Sequence, residues 1–206
     1  MIWTRRSPTE SELFDLLRMS MTMFKAKQVP EEFLSFLLSI RRRRLQTILE
    51  IGTAAGGTLL AWSAMGVYDA KLIAVDTTIT EYASYVFSVF LRDFQTLHAI
   101  QGDSREEAIY TEVVDTLDGG MVDLLYIDGG HYYDDVSSDF YNYKDLVVPG
   151  GIIVLHDIGI TRGPSMQVQR FWNEIKGNYR YDEFISPDPD DRCGIGVLHV
   201  EVDNDS

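Results

Sequence analysis

From residue 46 onward the chain alternates between two kinds of apolar pattern. Short runs with most positions apolar occur at 47–51, 71–76, 97–100, 122–128 and 152–155. Longer stretches with apolar residues at helical spacing lie between and after them, at 58–65, about 79–94, about 104–117, about 132–146 and about 164–176. Val136, Phe140 and Tyr143 share one face of such a stretch. Strands alternating with helices predict a doubly wound, mostly parallel α/β sheet with helices on both faces. Two further runs, about 180–185 and 195–200, are joined only by Ser186-Pro187-Asp188-Pro189-Asp190-Asp191, and are expected to form an antiparallel hairpin at one edge of a seven-stranded sheet. Ser104 is expected to cap the helix that follows it. Pro149-Gly150-Gly151 is expected to be a tight turn into the fifth strand.

No strand pattern precedes residue 46. Residues 11–24 place Leu13, Phe14, Leu16, Leu17 and Phe24 at helical spacing. Pro30 opens a second helix, with Glu31 and Glu32 in its first turn, that runs to Arg41-Arg42-Arg43-Arg44. The expected organisation is a helical segment, 1–45, and an α/β domain, 46–206. The helical segment would cover the domain or make a contact between copies in a homo-oligomer.

Composition acts mainly by exclusion. With 18 Lys and Arg against 32 Asp and Glu, the net charge is -14. A nucleic-acid partner would want a basic face. The one basic cluster, Arg41–Arg44, sits at a helix end, where cations favour the dipole. The acidic balance suits a small neutral or cationic ligand. The apolar stretch 33–40 is too short to span a bilayer. Arg5 and Arg6 are followed by acids rather than by an apolar core, so the start does not read as a signal peptide. A single cysteine, Cys193, excludes an intrachain disulfide and a cysteine-built zinc site. The cytoplasm is the expected compartment.

Ligands of doubly wound sheets bind where strands lead into helices. After the first strand stands Glu50-Ile51-Gly52-Thr53-Ala54-Ala55-Gly56-Gly57. Its glycines allow positive φ and close approach of backbone to a ligand. A dinucleotide turn needs a glycine where Ala54 stands, to clear space for pyrophosphate. Glu50 would repel a pyrophosphate but suits an ammonium group. Asp76 ends the second strand, where a carboxylate can accept from two ribose hydroxyls. A ligand with adenine, ribose and an amino-acid tail fits better than one with two phosphates. The pattern E-x-G-x-x-x-G-G, then Asp76, then Gly102-Asp103-Ser104 resembles class I S-adenosylmethionine-dependent methyltransferases. The resemblance implies a Rossmann-like methyltransferase fold over about 46–200. It implies S-adenosylmethionine as cofactor, with the backbone around Gly52 and Thr53 at its methionine part, Asp76 on the ribose, and Asp103 and Ser104 near the adenine; Glu50 and Gly56 are further cofactor-binding candidates of the turn.

A second constellation follows. Ile127-Asp128-Gly129-Gly130-His131-x-Tyr133-x-x-Val136-x-x-Asp139 precedes Leu146-x-x-Pro149-Gly150-Gly151 and then His156-Asp157. This resembles the macrocin O-methyltransferase-like and cephalosporin-hydroxylase-like subgroup, members of which act on sugars and natural products. The resemblance implies O-methylation of a small hydroxylated compound. It also implies a divalent metal, Mg²⁺ or Mn²⁺, held by Asp128, His156 and Asp157. Asp128 and Asp157 end adjacent strands, so their carboxylates can converge. His156 stands where related enzymes carry an acid, which shifts the preference away from a hard ion. His131 is the candidate general base; its place at a helix start is expected to disfavour the imidazolium. The loop 158–164, with Arg162, is expected to be a lid or substrate loop. Two other readings stay open: a nicotinamide-dependent oxidoreductase, disfavoured by Ala54 and Glu50, and a non-catalytic binding module.

Overall fold

The computed structural model describes residues 7–24, 28–79, 90–159, 166–188 and 193–202. Its strands are β1 (Leu45–Ile51), β2 (Gly66–Asp76), β3 (Thr96–Gln101), β4 (Val122–Ile127), β5 (Val147–His156), β6 (Arg180–Phe184) and β7 (Ile195–His199). They form one sheet in the order β3-β2-β1-β4-β5-β7-β6. The first five strands run parallel to one another. β7 runs antiparallel to both β5 and β6, so the fold is the doubly wound sheet with the hairpin expected at one edge. Strand order reverses between β1 and β4, which are hydrogen-bonded neighbours. Such a switch point opens a crevice at the carboxyl ends of the strands.

The strands are apolar on both faces because both are covered. Ile48, Leu124, Tyr126, Val154 and Val197 meet one helical layer, and Leu49, Leu125, Ile127, Ile153 and Leu155 meet the other. This is the period-two alternation of extended chain. The first layer holds α1 (Glu10–Phe24), α2 (Pro30–Ile40) and α3 (Gly57–Met65). The second holds α4 (Glu107–Leu117), α5 (Tyr133–Tyr143) and α6 (Val168–Ile175).

The segment before residue 46 is built into the first layer. α3 is buried along its whole length, because α1 packs on the side that the sheet leaves open. Ser20 Oγ donates to the Gly57 carbonyl at 2.8 Å. Trp62 of α3 is fully buried among Phe33, Phe36 and Tyr126, with ring centroids 5.0–6.3 Å away. Glu32 does more than favour a helix dipole. Its buried carboxylate accepts from the backbone N–H groups of Ser186 (2.6 Å), Cys193 (3.2 Å) and Gly194 (2.8 Å), which ties α2 to the connection between β6 and β7. Arg43 likewise reaches the sheet, donating to the Gly150 carbonyl and to His199 Nδ1.

Some boundaries differ from the sequence expectation. α4 begins at Glu107 after Glu106, so Ser104 does not cap it; its hydroxyl is engaged elsewhere, by Asp139. Pro149-Gly150-Gly151 is not a turn before β5 but lies inside it. The pairing Val122↔Val147 resumes at Leu124↔Ile152 across a register shift, and Gly150 takes φ +86° there. Asp145 and Leu146 fall in a 3₁₀ turn, Lys144–Leu146, after α5 has ended. Residues 80–89 of the helix expected at 79–94 lie outside the described residues. So do residues 160–165 of the expected lid loop, Arg162 among them, and residues 189–192 of the hairpin connection. No helix among the described residues is long and apolar enough to cross a membrane.

Phe36 is fully buried between Phe33, Trp62 and Phe184. Phe36→Ala should therefore lower the unfolding free energy by about 3–5 kcal/mol. Urea denaturation followed by far-ultraviolet circular dichroism should show one shifted transition. A separate early transition in the variant would show that the N-terminal helices do not share the core of the sheet.

Candidate functional site

The turn after β1 is shaped by what lies directly against it. Gly52 N donates to the Val75 carbonyl and Asp128 N donates to the Ile51 carbonyl, both at 2.8 Å, so the ladder runs one residue past the strand ends. Gly52 takes φ +87°, and a Cβ there would stand 2.1 Å from the Asp128 carbonyl oxygen. The space that this glycine clears is for the end of β4. Gly56, at φ +82°, is the N-cap of α3. Ala54, at φ +45°, is held in the left-handed region by its N–H, which donates to Asp76 Oδ2 at 2.7 Å.

Glu50 does not stand where an ammonium group could meet it. It is fully buried beneath the turn. Its carboxylate accepts from Thr53 Oγ1 (2.8 Å), Thr58 Oγ1 and Trp62 Nε1 (3.1 Å). Burial pushes its pKa up to about 7, against the pull of these three donors. Glu50 thus fastens the turn to the first turns of α3 from below.

Two cavities open at the carboxyl ends of the strands, with volumes of about 450 Å³ and 590 Å³. The smaller runs from Gly52 and Asp76 past Gly102-Asp103-Ser104 to Asp139. The larger is lined by Thr53, Thr58, Gln28, His156, Asp157 and Cys193, among others. Gly52, Ala54, Asp128 and His131 line both. Gly56 lines neither. In the smaller cavity, Asp76 Oδ1 also accepts from Thr78 N at 2.9 Å. Asp103 is clamped by Arg105, whose Nε and Nη2 donate to it at 2.9 and 2.6 Å, and these bonds hold its pKa down to about 2. Arg105 Nη1 donates across to Asp135 at 2.5 Å. Asp135, in the first turn of α5, thereby joins that helix to the loop after β3.

The larger cavity contains a cluster of acids and histidines. Asp128 follows β4, His156 ends β5, and Asp157 follows it at φ +65°. His156 Nδ1 lies 3.0 Å from Asp128 Oδ1 and 3.3 Å from Asp157 Oδ1. The other oxygen of each acid is also engaged: Gln28 Nε2 donates to Asp128 Oδ2 at 3.3 Å, and His131 Nε2 lies 2.9 Å from Asp157 Oδ2. Burial alone would lower the pKa of His156, but the two carboxylates outweigh it and raise it. Burial alone would raise Asp157, but its hydrogen bonds with the two histidines hold it well below the usual carboxylate range.

His131 corrects one expectation. Its pKa is raised, first through its hydrogen bond to Asp157 and with burial acting the other way. A helix N-terminus contributes about 0.3–1 kcal/mol at an exposed site. A charge-assisted hydrogen bond at 2.9 Å is the larger effect. Cys193 is a poor nucleophile here, since burial and neighbouring carboxylates push its thiol up to about 12.

Donor atoms of Asp128, His131 and Asp157 lie within 4.8 Å of one another, and those of His156, Asp157 and Cys193 form a second such group. The first group is the better ion site: two carboxylates and a half-exposed imidazole that line one cavity. His156 keeps its Nδ1 between the carboxylates, and its Nε2 is buried without a partner among the described residues. Gln28 and Arg105 had no sequence signal. Gln28 precedes the second helix at no periodic position, and Arg105 reads as an ordinary loop cation.

The family described as a methyltransferase domain matches residues 49–158. A protein of Acanthamoeba polyphaga mimivirus is 34% identical over 118 residues, which cover 54% of this chain and 51% of that protein. The chain spans only 7% to 51% of the length of the curated relatives it matches. The O-methyltransferase TomG from Streptomyces achromogenes, solved with SAM, superposes with a TM-score of 0.64 at 18% identity, over 93% of this chain and 90% of TomG. MycE methyltransferase from the mycinamycin biosynthetic pathway, solved with Mg, SAH and mycinamycin VI, gives 0.63 at 17% identity, over 98% of this chain and 57% of MycE. These two likenesses show a shared fold.

The burial of Glu50 sets a pH dependence. Its folded pKa of about 7 lies above the ordinary 4.5, so folding favours the protonated form. The stability this contributes is fully present below about pH 4.5 and is lost as pH rises through about 7, a change of about 3 kcal/mol. Glu50→Gln keeps an acceptor for Thr58 and Trp62 and removes the titration. Urea denaturation at about pH 5 and about pH 8 should show a smaller difference in the variant than in the wild type. An equal difference would remove Glu50 as its source.

Proposed function

The chain belongs to this methyltransferase-domain family, and we propose that it transfers a methyl group from S-adenosylmethionine to a hydroxyl of a small molecule. One observation carries the reading: the two cavities meet at Gly52, Ala54, Asp128 and His131. An in-line displacement needs donor and acceptor held on one line at close range. In this reading the smaller cavity takes the adenosine, with Asp76 on the ribose and Asp103 and Ser104 beside the base. Backbone at Gly52 and Thr53 takes the methionine part. The sulfonium then lies at the junction, and the acceptor enters through the larger cavity. Glu50 and Gly56 act only by shaping the turn.

His131 takes the proton. With Nε2–H donated to Asp157, Nδ1 is left as the basic nitrogen, and Asp157 both orients the ring and raises its basicity. The acceptor oxygen forms its bond to the methyl carbon as the carbon–sulfur bond breaks. The electron pair of that bond goes to sulfur, and the hydroxyl proton goes to His131. His156 is a positioning group in this scheme, a cation that holds Asp128 and Asp157 together.

The mixed cluster of Asp128, Asp157 and His131 favours a second reading. These residues would hold a divalent ion, and two oxygens with one nitrogen suit Mn²⁺ better than Mg²⁺. Such an ion would supply Lewis-acid polarisation of the acceptor hydroxyl. His131 would then be a ligand and not the base.

Calorimetry should show binding of S-adenosylmethionine and none of NAD; the reverse result would overturn the cofactor assignment. His131→Ala should lower kcat by about 10²–10⁴ with cofactor affinity nearly unchanged. Turnover of the wild type in chelator should stay constant if His131 is the base. Loss in chelator with recovery on adding Mn²⁺ would establish the second reading instead.

A further inference from the structure

Asp139 is a buried carboxylate that the mechanism above does not use. It lies on α5 with 2% of its surface exposed, beneath the loops that follow β3 and β4. Ser104 Oγ donates to its Oδ1 at 2.5 Å. Tyr143 OH donates to the Ser104 carbonyl at 2.8 Å, which fixes that loop from below. Among the described residues, Oδ2 has no hydrogen-bond partner. It faces Gly129, where a Cβ would come to 3.2 Å, and Asp139 lines the same cavity as Asp76. Arg105 acts on Asp139 only through its charge, since its described hydrogen bonds go to Asp103 and Asp135.

The Oδ2 oxygen accepts nothing from the described residues and its side chain lines the cavity, so it is free to accept from a ligand donor. Burial also pushes the Asp139 carboxyl up to about 6, with Ser104 and Arg105 acting against the rise, so this oxygen gains from any donor that enters the cavity. The cavity runs from one carboxylate, Asp76, suited to ribose hydroxyls, past Gly102-Asp103-Ser104 to this second one. Within an adenosine, the donor beyond the ribose is the exocyclic amino group of the base.

We propose that Asp139 Oδ2 accepts a hydrogen bond from the exocyclic amino group of the cofactor adenine and makes the cavity selective for adenine over hypoxanthine. This rests on the S-adenosylmethionine reading of the same cavity. Hypoxanthine carries a carbonyl at that position, so an acceptor would face an acceptor. In Asp139→Asn, Oδ1 can keep the Ser104 bond while the amide NH₂ faces the cavity. That group would oppose the amino group of adenine and accept the carbonyl of hypoxanthine.

The test is calorimetry of wild type and Asp139→Asn with S-adenosylhomocysteine and S-inosylhomocysteine, which differ at that one group. Wild type should prefer the adenosyl compound by about tenfold or more, the effect of one buried hydrogen bond. In Asp139→Asn the preference should vanish or reverse. An unchanged ratio in the variant would overturn the proposal. So would equal affinities in the wild type alone, a measurement that needs no variant to fold. Binding of neither compound by the wild type would overturn the cofactor reading itself, and the proposal with it.

Discussion

At Gly52 the end of β1 lies against the end of β4 with no side chain between them. A Cβ at this position would stand 2.1 Å from the Asp128 carbonyl oxygen, and the φ of +87° already excludes most other residues. The contact sits at the switch point, where strand order reverses. It brings the turn that leads to α3 against the backbone that carries Asp128. Both cavities are lined by residues on either side of this contact. Any larger residue would part the two strand ends and, with them, the glycine turn and the cluster around Asp128.

Charge is managed around that point by pairing. The chain carries -14 overall, and several acids crowd the strand ends. Asp128 and Asp157 share His156, Asp157 also holds His131, and Asp103 and Asp135 share Arg105. Glu50 is kept apart from water and satisfied by neutral donors. The acids that line the cavities without a cationic partner of their own are few: Asp76 and Asp139, both in the smaller cavity. In the proposed function this arrangement leaves acceptors for ribose and adenine, and a negative field for a cationic sulfonium.

The fold was legible because each apolar run is short, bounded by Gly or Asp, and separated from the next by helical spacing. Asp76, Asp128 and Asp157 were legible as strand-end acids, and parallel neighbours β4 and β5 bring the last two together. What was missed followed from effects the local pattern does not carry. Glu50 shares a strand face with Ile48, so period two placed it in the layer under α3, away from any ligand. At His131 the local pattern carries only the helix dipole, while a carboxylate brought from 26 residues away, at Asp157, outweighs it. Glu32 and Gln28 act through contacts more than 90 residues distant in sequence, which no periodicity announces. Pro149-Gly150-Gly151 is punctuation that the sheet absorbs as an irregularity within β5.

The central claim is that one ligand lies across the contact between β1 and β4, with its base in the smaller cavity and its sulfur at the junction. A crystal structure of the protein with S-adenosylhomocysteine tests this directly. In that structure the ribose hydroxyls should lie on Asp76, the adenine beside Ser104 and Asp139, and the sulfur within reach of the Asp128–His131 side of the junction. Ligand bound elsewhere, or with its ribose away from Asp76, would contradict it.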